Sequence, residues 1–167
     1  MKYYIIWKNG YDIEEIVQDI CNDRESAVLQ TKLYNGQGES KEEDYEWTFN
    51  IDHGFELSSS SNDYHFTELE LNEKSLFILL FHESGGGGSY HDVTYLYFCS
   101  NLSTAIEDAN NYMESEHNID NDCEACRNDA CYDKLVKELS QDLCSTIETS
   151  LYEPVTFHIL ERSLVRQ

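Results

Sequence analysis

One stretch in the second half of the chain carries the residue types best suited to hold a metal ion. His117, Cys123, Cys126 and Cys131 follow the spacing H-x5-C-x2-C-x4-C. Imidazole nitrogen and thiolate sulfur are the ligands of tetrahedral structural zinc sites, and a C-x2-C pair is a common part of them. The spacing favours zinc only in part, because a second C-x2-C pair is missing. The alternative is that Cys131 packs in a helix core, four residues before Leu135, and that the other two cysteines are free thiols.

The same stretch also resembles a degraded calcium-binding loop. Asn118, Asp120 and Asp122 occupy alternate positions, and Asp129 lies at position twelve when Asn118 is counted first. An EF-hand loop requires glycine where this chain has Cys123, and a bidentate glutamate where it has Asp129. Calcium is therefore a weaker prediction than zinc.

Enzymatic chemistry has little support in the sequence. The six histidines are scattered along the chain, and neither a G-x-S-x-G nor an H-E-x-x-H motif occurs. The four consecutive glycines at 85–88 are not followed by Lys-Ser or Lys-Thr, as a phosphate-binding loop would require. We therefore predict no catalytic residues and expect a protein that is not an enzyme.

Acidic residues are distributed very unevenly along the chain. Of 167 residues, 33 are acidic and 11 are basic, which gives a formal net charge of −22. Between residues 42 and 126 there are nineteen acids and one base, Lys74, whereas residues 1–41 and 127–167 each hold seven acids and five bases. An acidic field concentrated in this way indicates a partner of positive charge.

The size of this charge matches that of a short nucleic-acid duplex. Duplex DNA carries one charge per roughly 1.7 Å, so the net charge of this middle stretch equals that of about 30 Å of duplex. A domain of this length is on the order of 40 Å across. The carboxylates could thus stand in for phosphates, the alternative being a solvated acidic surface. The predicted partner-binding residues are the acids of this stretch that we expect to be exposed: Glu42, Glu43, Asp44, Glu46, Asp52, Glu68, Glu70, Glu73, Glu107, Asp108, Glu114 and Glu116.

In composition the chain resembles small acidic inhibitors of nucleic-acid enzymes, such as phage anti-restriction proteins, anti-CRISPR proteins and nuclease immunity proteins. The resemblance implies a non-enzymatic inhibitor that blocks the basic DNA- or RNA-binding groove of a host defence protein or nuclease. The second class of function is a zinc-stabilised protein-interaction module that uses the cysteine loop. A halophilic housekeeping protein is the third, and the six cysteines make it less attractive.

Composition also bears on partners and location. An acidic surface repels nucleic acid and anionic lipid, so we expect neither as a direct ligand. No apolar run approaches the length of a membrane span, and the N-terminus lacks the pattern of a signal peptide. We expect a cytoplasmic protein, in the host cytoplasm if a phage encodes it, with its cysteines as thiols or metal ligands rather than disulfides.

A fold must position these residues. The order of helical and strand patterns along the sequence predicts that this fold is α+β. We predict one domain over residues 1–167, with an internal seam near residues 57–63, where serines cluster. It should contain a mostly antiparallel sheet of about five to seven strands with two or three helices packed on it. Residues 75–82 should form the central strand, because their apolar run is nearly continuous, and 93–99 its antiparallel neighbour.

Local patterns predict the remaining elements. A helix capped by Asn22 ends near Gly36, a second begins at Ser100 or Ser103, and a third extends to Leu151. Alternation and β-branched content predict five further strands: 2–7, 13–20, 45–51, 65–71 and 155–160.

A faint internal repeat accompanies these elements. Residues 21–34 align without gaps on residues 99–112, sharing a cysteine, an alanine and a tyrosine. Each segment follows a predicted strand. If the repeat is structural, it predicts two hairpin-plus-helix units packed on one sheet.

The zinc hypothesis has a direct test in metal content. If the cysteine loop holds zinc, purified protein should contain about one equivalent, and chelation should loosen residues 116–131 while leaving the sheet folded. Elemental analysis combined with hydrogen exchange would measure both. Metal-free protein whose thermal stability is unchanged by chelator would remove the hypothesis.

Overall fold

Eight strands and four helices are present in the computed structural model, which describes residues 1–8, 13–36, 45–47, 54–57, 63–72, 74–83, 93–117, 130–147 and 154–164. The strands are β1 (Lys2–Lys8), β2 (Val17–Cys21), β3 (Gly54–Leu57), β4 (Tyr64–Glu70), β5 (Ser75–Glu83), β6 (Val93–Cys99), β7 (Cys144–Ile147) and β8 (Val155–Ser163). The helices are α1 (Ile13–Ile16), α2 (Arg24–Tyr34), α3 (Leu102–His117) and α4 (Ala130–Asp142).

The strands form two antiparallel sheets, one in the order β2-β1-β4 and one in the order β3-β6-β5-β8-β7. The predicted α+β class with antiparallel pairing is confirmed. The prediction of a single sheet is wrong, and the reason lies in β1. This strand is apolar on both faces, and all five residues from Tyr3 to Trp7 are buried. A strand with two apolar faces must be covered on both sides, which a helix on one side and a second sheet on the other provide.

The two sheets pack face to face over a shared apolar core. Ile5 and Trp7 of β1 contribute to it from the smaller sheet, and Ile78, Leu80 and Phe98 contribute from the larger. Alternate side chains of β1, Tyr4 and Ile6, point the other way and pack with Ala27 and Val28 of α2. The first three layers are therefore α2, the three-stranded sheet and the five-stranded sheet.

The helices α3 and α4 form the fourth layer. Ala105 and Ala109 of α3 pack with Leu79 and Phe81 of β5, together with Leu139 of α4. The small alanine side chains allow the helix to approach the sheet closely. β5 thus has an apolar core on each side and is the middle strand of its sheet, which confirms the predicted central strand and its pairing with β6.

Two hairpin-plus-helix units are visible in the topology. In the first, the β1–β2 hairpin leads into α2, and β4 returns beside β1; in the second, the β5–β6 hairpin leads into α3, and β8 returns beside β5. Cys21 and Cys99 end the second strand of each hairpin and are buried, and Ala27 and Ala105 are both fully buried on the helices. Each unit has its own sheet rather than sharing one as the repeat predicted.

The starts of α2 and α3 are capped by residues other than the predicted ones. The side chain of Asp23, not of Asn22, accepts a hydrogen bond from the backbone N–H of Ser26 at 2.8 Å. The side chain of Asn101, rather than of either predicted serine, accepts from the N–H of Thr104 at 2.9 Å. Both capping residues bond the third residue after them, as N-caps commonly do.

Three predicted boundaries are wrong or cannot be compared. Residues 13–16 form the short helix α1, so the second hairpin strand begins at residue 17. The last helix ends at Asp142, because Leu143 has a positive φ of 55° and residues 144–147 pair with β8 as a strand. Of the predicted strand at 45–51, residues 45–47 form only an isolated parallel bridge between Glu46 and Phe66; residues 48–51 and 58–62 lie outside the described part of the chain.

The position of Leu79 between β5 and the helices generates a stability prediction. Leu79→Ala is expected to lower the unfolding free energy by about 2–5 kcal/mol, because it leaves a cavity in a packed core. Leu33→Ala is the matched control: Leu33 is 49% exposed on α2, and its loss should change the free energy by less than about 0.5 kcal/mol. Urea unfolding of the two variants measures the difference. Equal losses would contradict the buried position of Leu79.

Candidate functional site

The predicted partner-binding acids of β4 lie on the face of the small sheet that carries α2. Side chains alternate along the strand, so Glu68 and Glu70 share the face of Phe66, which packs in the α2 core. In the register with β1, Glu68 lies opposite Tyr4 and Glu70 opposite Lys2. The carboxylate row predicted from the sequence is therefore present, but it is bordered by a base.

Glu68 is held by two partners from β1. The Lys2 ammonium lies 2.5 Å from its Oε1 atom, and the Tyr4 hydroxyl donates to its Oε2 atom at 2.8 Å. The hydrogen bond from Lys2, followed by that from Tyr4, lowers the pKa of Glu68 below its ordinary value of 4.5. The same contact with Glu68 raises the pKa of Lys2.

Glu46 is also paired with a base. The Arg24 guanidinium contacts its Oε2 atom through Nη2 at 2.5 Å and Nε at 3.2 Å, and it lies over the Phe66 ring at 5.7 Å from the centroid. Lys2 and Arg24 both come from the charge-balanced first part of the chain. The charge separation seen along the sequence is thus partly cancelled in space on the α2 side.

The helix α3 keeps its acidic character. It contains no lysine or arginine, and Glu107 and Glu114 are exposed on it. Neither carboxylate takes part in the ion pairs formed among the described residues. Asp108 is half-buried, with its Oδ2 atom 3.6 Å from the Cys99 thiol, so it faces the sheet more than the solvent.

The remaining predicted site residues cannot be placed. Outside the described part of the chain lie Glu42, Glu43, Asp44, Asp52, Glu73, Cys123 and Cys126. The side chains of Glu116, His117 and Cys131 are not described either, although their backbones lie at the end of α3 and the start of α4. Over the described residues, no group of three or more His, Cys, Asp or Glu side chains could hold a metal ion. The zinc and calcium hypotheses remain predictions about residues 117–131.

Among the described residues, the histidine side chains are not arranged as a catalytic group. His65 is buried and packs against two indole rings, with its centroid 5.2 Å from that of Trp7 and 4.8 Å from that of Trp47. Trp7 in turn donates from Nε1 to the Thr67 hydroxyl at 3.0 Å. This cluster lies near one end of the small sheet, where Trp7 of β1 is paired with His65 of β4.

Sequence reasoning missed the two bases that neutralise the predicted site. Lys2 and Glu68 are 66 residues apart, and Arg24 and Glu46 are 22 apart. The β1–β4 register brings the first pair together, and the bridge between Glu46 and Phe66 helps to bring the second. The only available signal was the tendency of a partly buried carboxylate to be paired with a base.

Comparisons of the chain with protein-family models, with curated proteins and with solved structures found no match. No helix in the described ranges is both long enough and apolar enough to cross a membrane. The fold and its charges are therefore the basis for any functional proposal.

The Lys2–Glu68 contact predicts a dependence of stability on pH. A carboxyl group whose pKa is lowered by folding stabilises the protein above its unfolded pKa, and this contribution is lost as the pH falls through the folded pKa. Replacing Glu68 with glutamine removes the contribution. The stability advantage of the wild type over Glu68→Gln should therefore be full near neutral pH and should shrink as the pH falls below the ordinary value of 4.5.

Glu70→Gln is the matched control, because Glu70 lies two residues away on the same face and forms no ion pair with a described residue. Urea midpoints measured across the acid range for all three proteins give the comparison. An advantage over Glu68→Gln that stays constant as the pH falls would contradict the ion pair.

Proposed function

We propose that the protein is a non-enzymatic inhibitor that occupies the basic nucleic-acid-binding groove of a partner protein, its carboxylates taking the place of phosphates. The observation that carries the proposal is the outer face of α3, a 16-residue helix with exposed Glu107 and Glu114 and no base. This helix belongs to a chain of net charge −22. A field of this sign and size attracts basic surfaces and speeds association with them.

The spacing of the two glutamates suits a phosphate backbone. They are seven positions apart on a helix that rises 1.5 Å per residue, so their axial separation is about 10 Å. One strand of duplex DNA advances about 3.4 Å along its axis per nucleotide while it winds around that axis, so the two carboxylates are separated on the same scale as nearby phosphates.

The helix presents these carboxylates from a rigid support. Ala105, Ala109 and Met113 of α3 are buried against β5 and α4. A helix fixed along its inner side loses little conformational freedom when its outer side binds a partner. The charged face is therefore pre-organised for binding.

The structure favours α3 over β4 as the main contact surface. Glu46 and Glu68 already have bases as partners, and a competing protein would have to break those contacts. Glu107 and Glu114 require no such exchange with a described residue. We accordingly propose that the interface is centred on α3. Glu70 lies on the α2 side of the sheets and would not contribute to it.

The proposed partner is a host defence protein or nuclease whose groove is lined by Lys and Arg. Phosphate-binding grooves attract nucleic acid through these side chains, and the same side chains would bind carboxylates. Direct binding of nucleic acid by this chain is disfavoured by like-charge repulsion. The proposed setting is the cytoplasm of a bacterial host.

Charge reversal on α3 is the central test of this proposal. The partner would first be captured from a candidate host and purified. The double variant Glu107→Lys, Glu114→Lys should bind this partner with an affinity lower than that of the wild type by roughly tenfold or more. Raised salt should weaken the wild-type complex, because exposed charges are screened. Calorimetric titration at low and raised salt measures both effects.

The matched control reverses Asp19 of β2 and Glu25 of α2, two exposed acids on the opposite side of the molecule from α3. It changes the net charge by the same amount and should lower the affinity far less. Equal loss in the two double variants would mean that total charge, and not the α3 face, determines binding. Unchanged affinity in both would refute the proposal.

A further inference from the structure

A cavity of about 590 Å³ opens at one end of the sandwich, where the two sheets are joined. Its walls come from the start of β1, from Asn22 after β2, from Leu71, Asn72 and Lys74 between β4 and β5, and from Leu164 after β8. Main-chain hydrogen bonds fix these segments: the Met1 backbone nitrogen donates to the Leu71 carbonyl oxygen at 2.8 Å, and the Leu164 N–H donates to the Lys74 carbonyl oxygen at 2.8 Å. The cavity therefore has defined walls.

The inner surface of the cavity is apolar. Tyr3, Leu71 and Leu164 line it, and all three belong to the core that the two sheets share. Their exposed fractions are 8%, 2% and 7%. A ligand in the cavity would extend the inter-sheet core, and the apolar part of that ligand would gain free energy by leaving water.

The rim of the cavity is basic, which is unusual in a chain with three times as many acids as bases. Lys2 and Lys74 both line it, and none of the described lining residues is acidic. The Lys2 ammonium is engaged by Glu68 at 2.5 Å. The Lys74 side chain is exposed and forms no ion pair with a described residue. Lys74 and the Met1 α-ammonium, which donates to the Leu71 carbonyl oxygen, are thus the ammonium groups at this rim that have no acidic partner among the described residues.

A neighbouring cavity helps to define where a negative group would lie. It measures about 380 Å³ and shares Asn72 and Lys74 with the first, but Glu161 also lines it. A negatively charged ligand group would be repelled by that carboxylate. The larger cavity is the more favourable place for an anion.

We propose that the larger cavity binds a small amphipathic carboxylate, whose apolar tail packs on Tyr3, Leu71 and Leu164 while its carboxylate pairs with Lys74. The volume falls within the roughly 300–1,000 Å³ of typical small-molecule sites. A carboxylate carries one negative charge and can pair with an ammonium group, whereas phosphate groups are usually bound by several donors or by arginine forks. This site is independent of the function proposed for α3.

Octanoate is a suitable probe, with octanol as its uncharged match. Titration of isotope-labelled protein with octanoate should shift the backbone NMR signals of Tyr3, Leu71 and Leu164. Lys74→Gln should weaken octanoate binding by roughly threefold to tenfold and leave octanol binding unchanged. Lys137→Gln, which removes an equal charge from the exposed face of α4, should leave both unchanged.

Two results would overturn the proposal. Octanoate shifts confined to other parts of the molecule would show that the cavity does not take an amphipathic ligand. Equal octanoate affinity in wild type, Lys74→Gln and Lys137→Gln would show that Lys74 does not recognise the carboxylate. Because the readout is binding of octanoate itself, failure here would leave the α3 proposal untouched.

Discussion

Everything in this fold depends on the need to cover β5 on both faces. Leu76, Ile78 and Leu80 point into the core between the sheets, and Leu79 and Phe81 point into the core beneath α3 and α4. A strand of this kind cannot lie at a surface, because each face would expose several large apolar side chains to water. The second sheet and the helical pair are the two covers, and β1 repeats the arrangement on the other side with α2. The four layers follow from two strands that are apolar on both faces.

This arrangement determines which charges can act together. Glu46 and Glu68 lie on the α2 side of the molecule, where Arg24 and Lys2 form ion pairs with them. The acids of α3 lie on the opposite outer layer, on a helix without bases. A net charge of −22 opposes folding by self-repulsion, and the α2 side reduces it locally. On the α3 side the neighbouring helix α4 contributes Lys134 and Lys137. Glu107 and Glu114 nevertheless take part in no ion pair among the described residues, and they are the charges that we propose meet a basic partner.

The sequence was informative where one element determines its own environment. The nearly continuous apolar run of β5 predicted an interior strand, and the predicted start of a helix at Ser100 or Ser103 lies next to the observed start of α3 at Leu102. The sequence was less informative where an interaction depends on segments that are far apart in the chain. The contact between Lys2 and Glu68 depends on the register of β1 against β4, which no local pattern reveals. The end of α4 was missed for a different reason: the apolar residues Leu143 and Ile147 continue the helical spacing, but Leu143 adopts a positive φ and the chain turns into an edge strand.

The proposed competition between the acidic face of α3 and nucleic acid for one groove can be tested by mutual exclusion. The purified partner would be loaded with a fluorescent duplex, this protein added, and the masses of all species followed by sedimentation. We expect release of the duplex and a partner complex that contains no nucleic acid, because one basic groove cannot pair with phosphates and carboxylates at once. A stable ternary complex holding partner, duplex and this protein would contradict it.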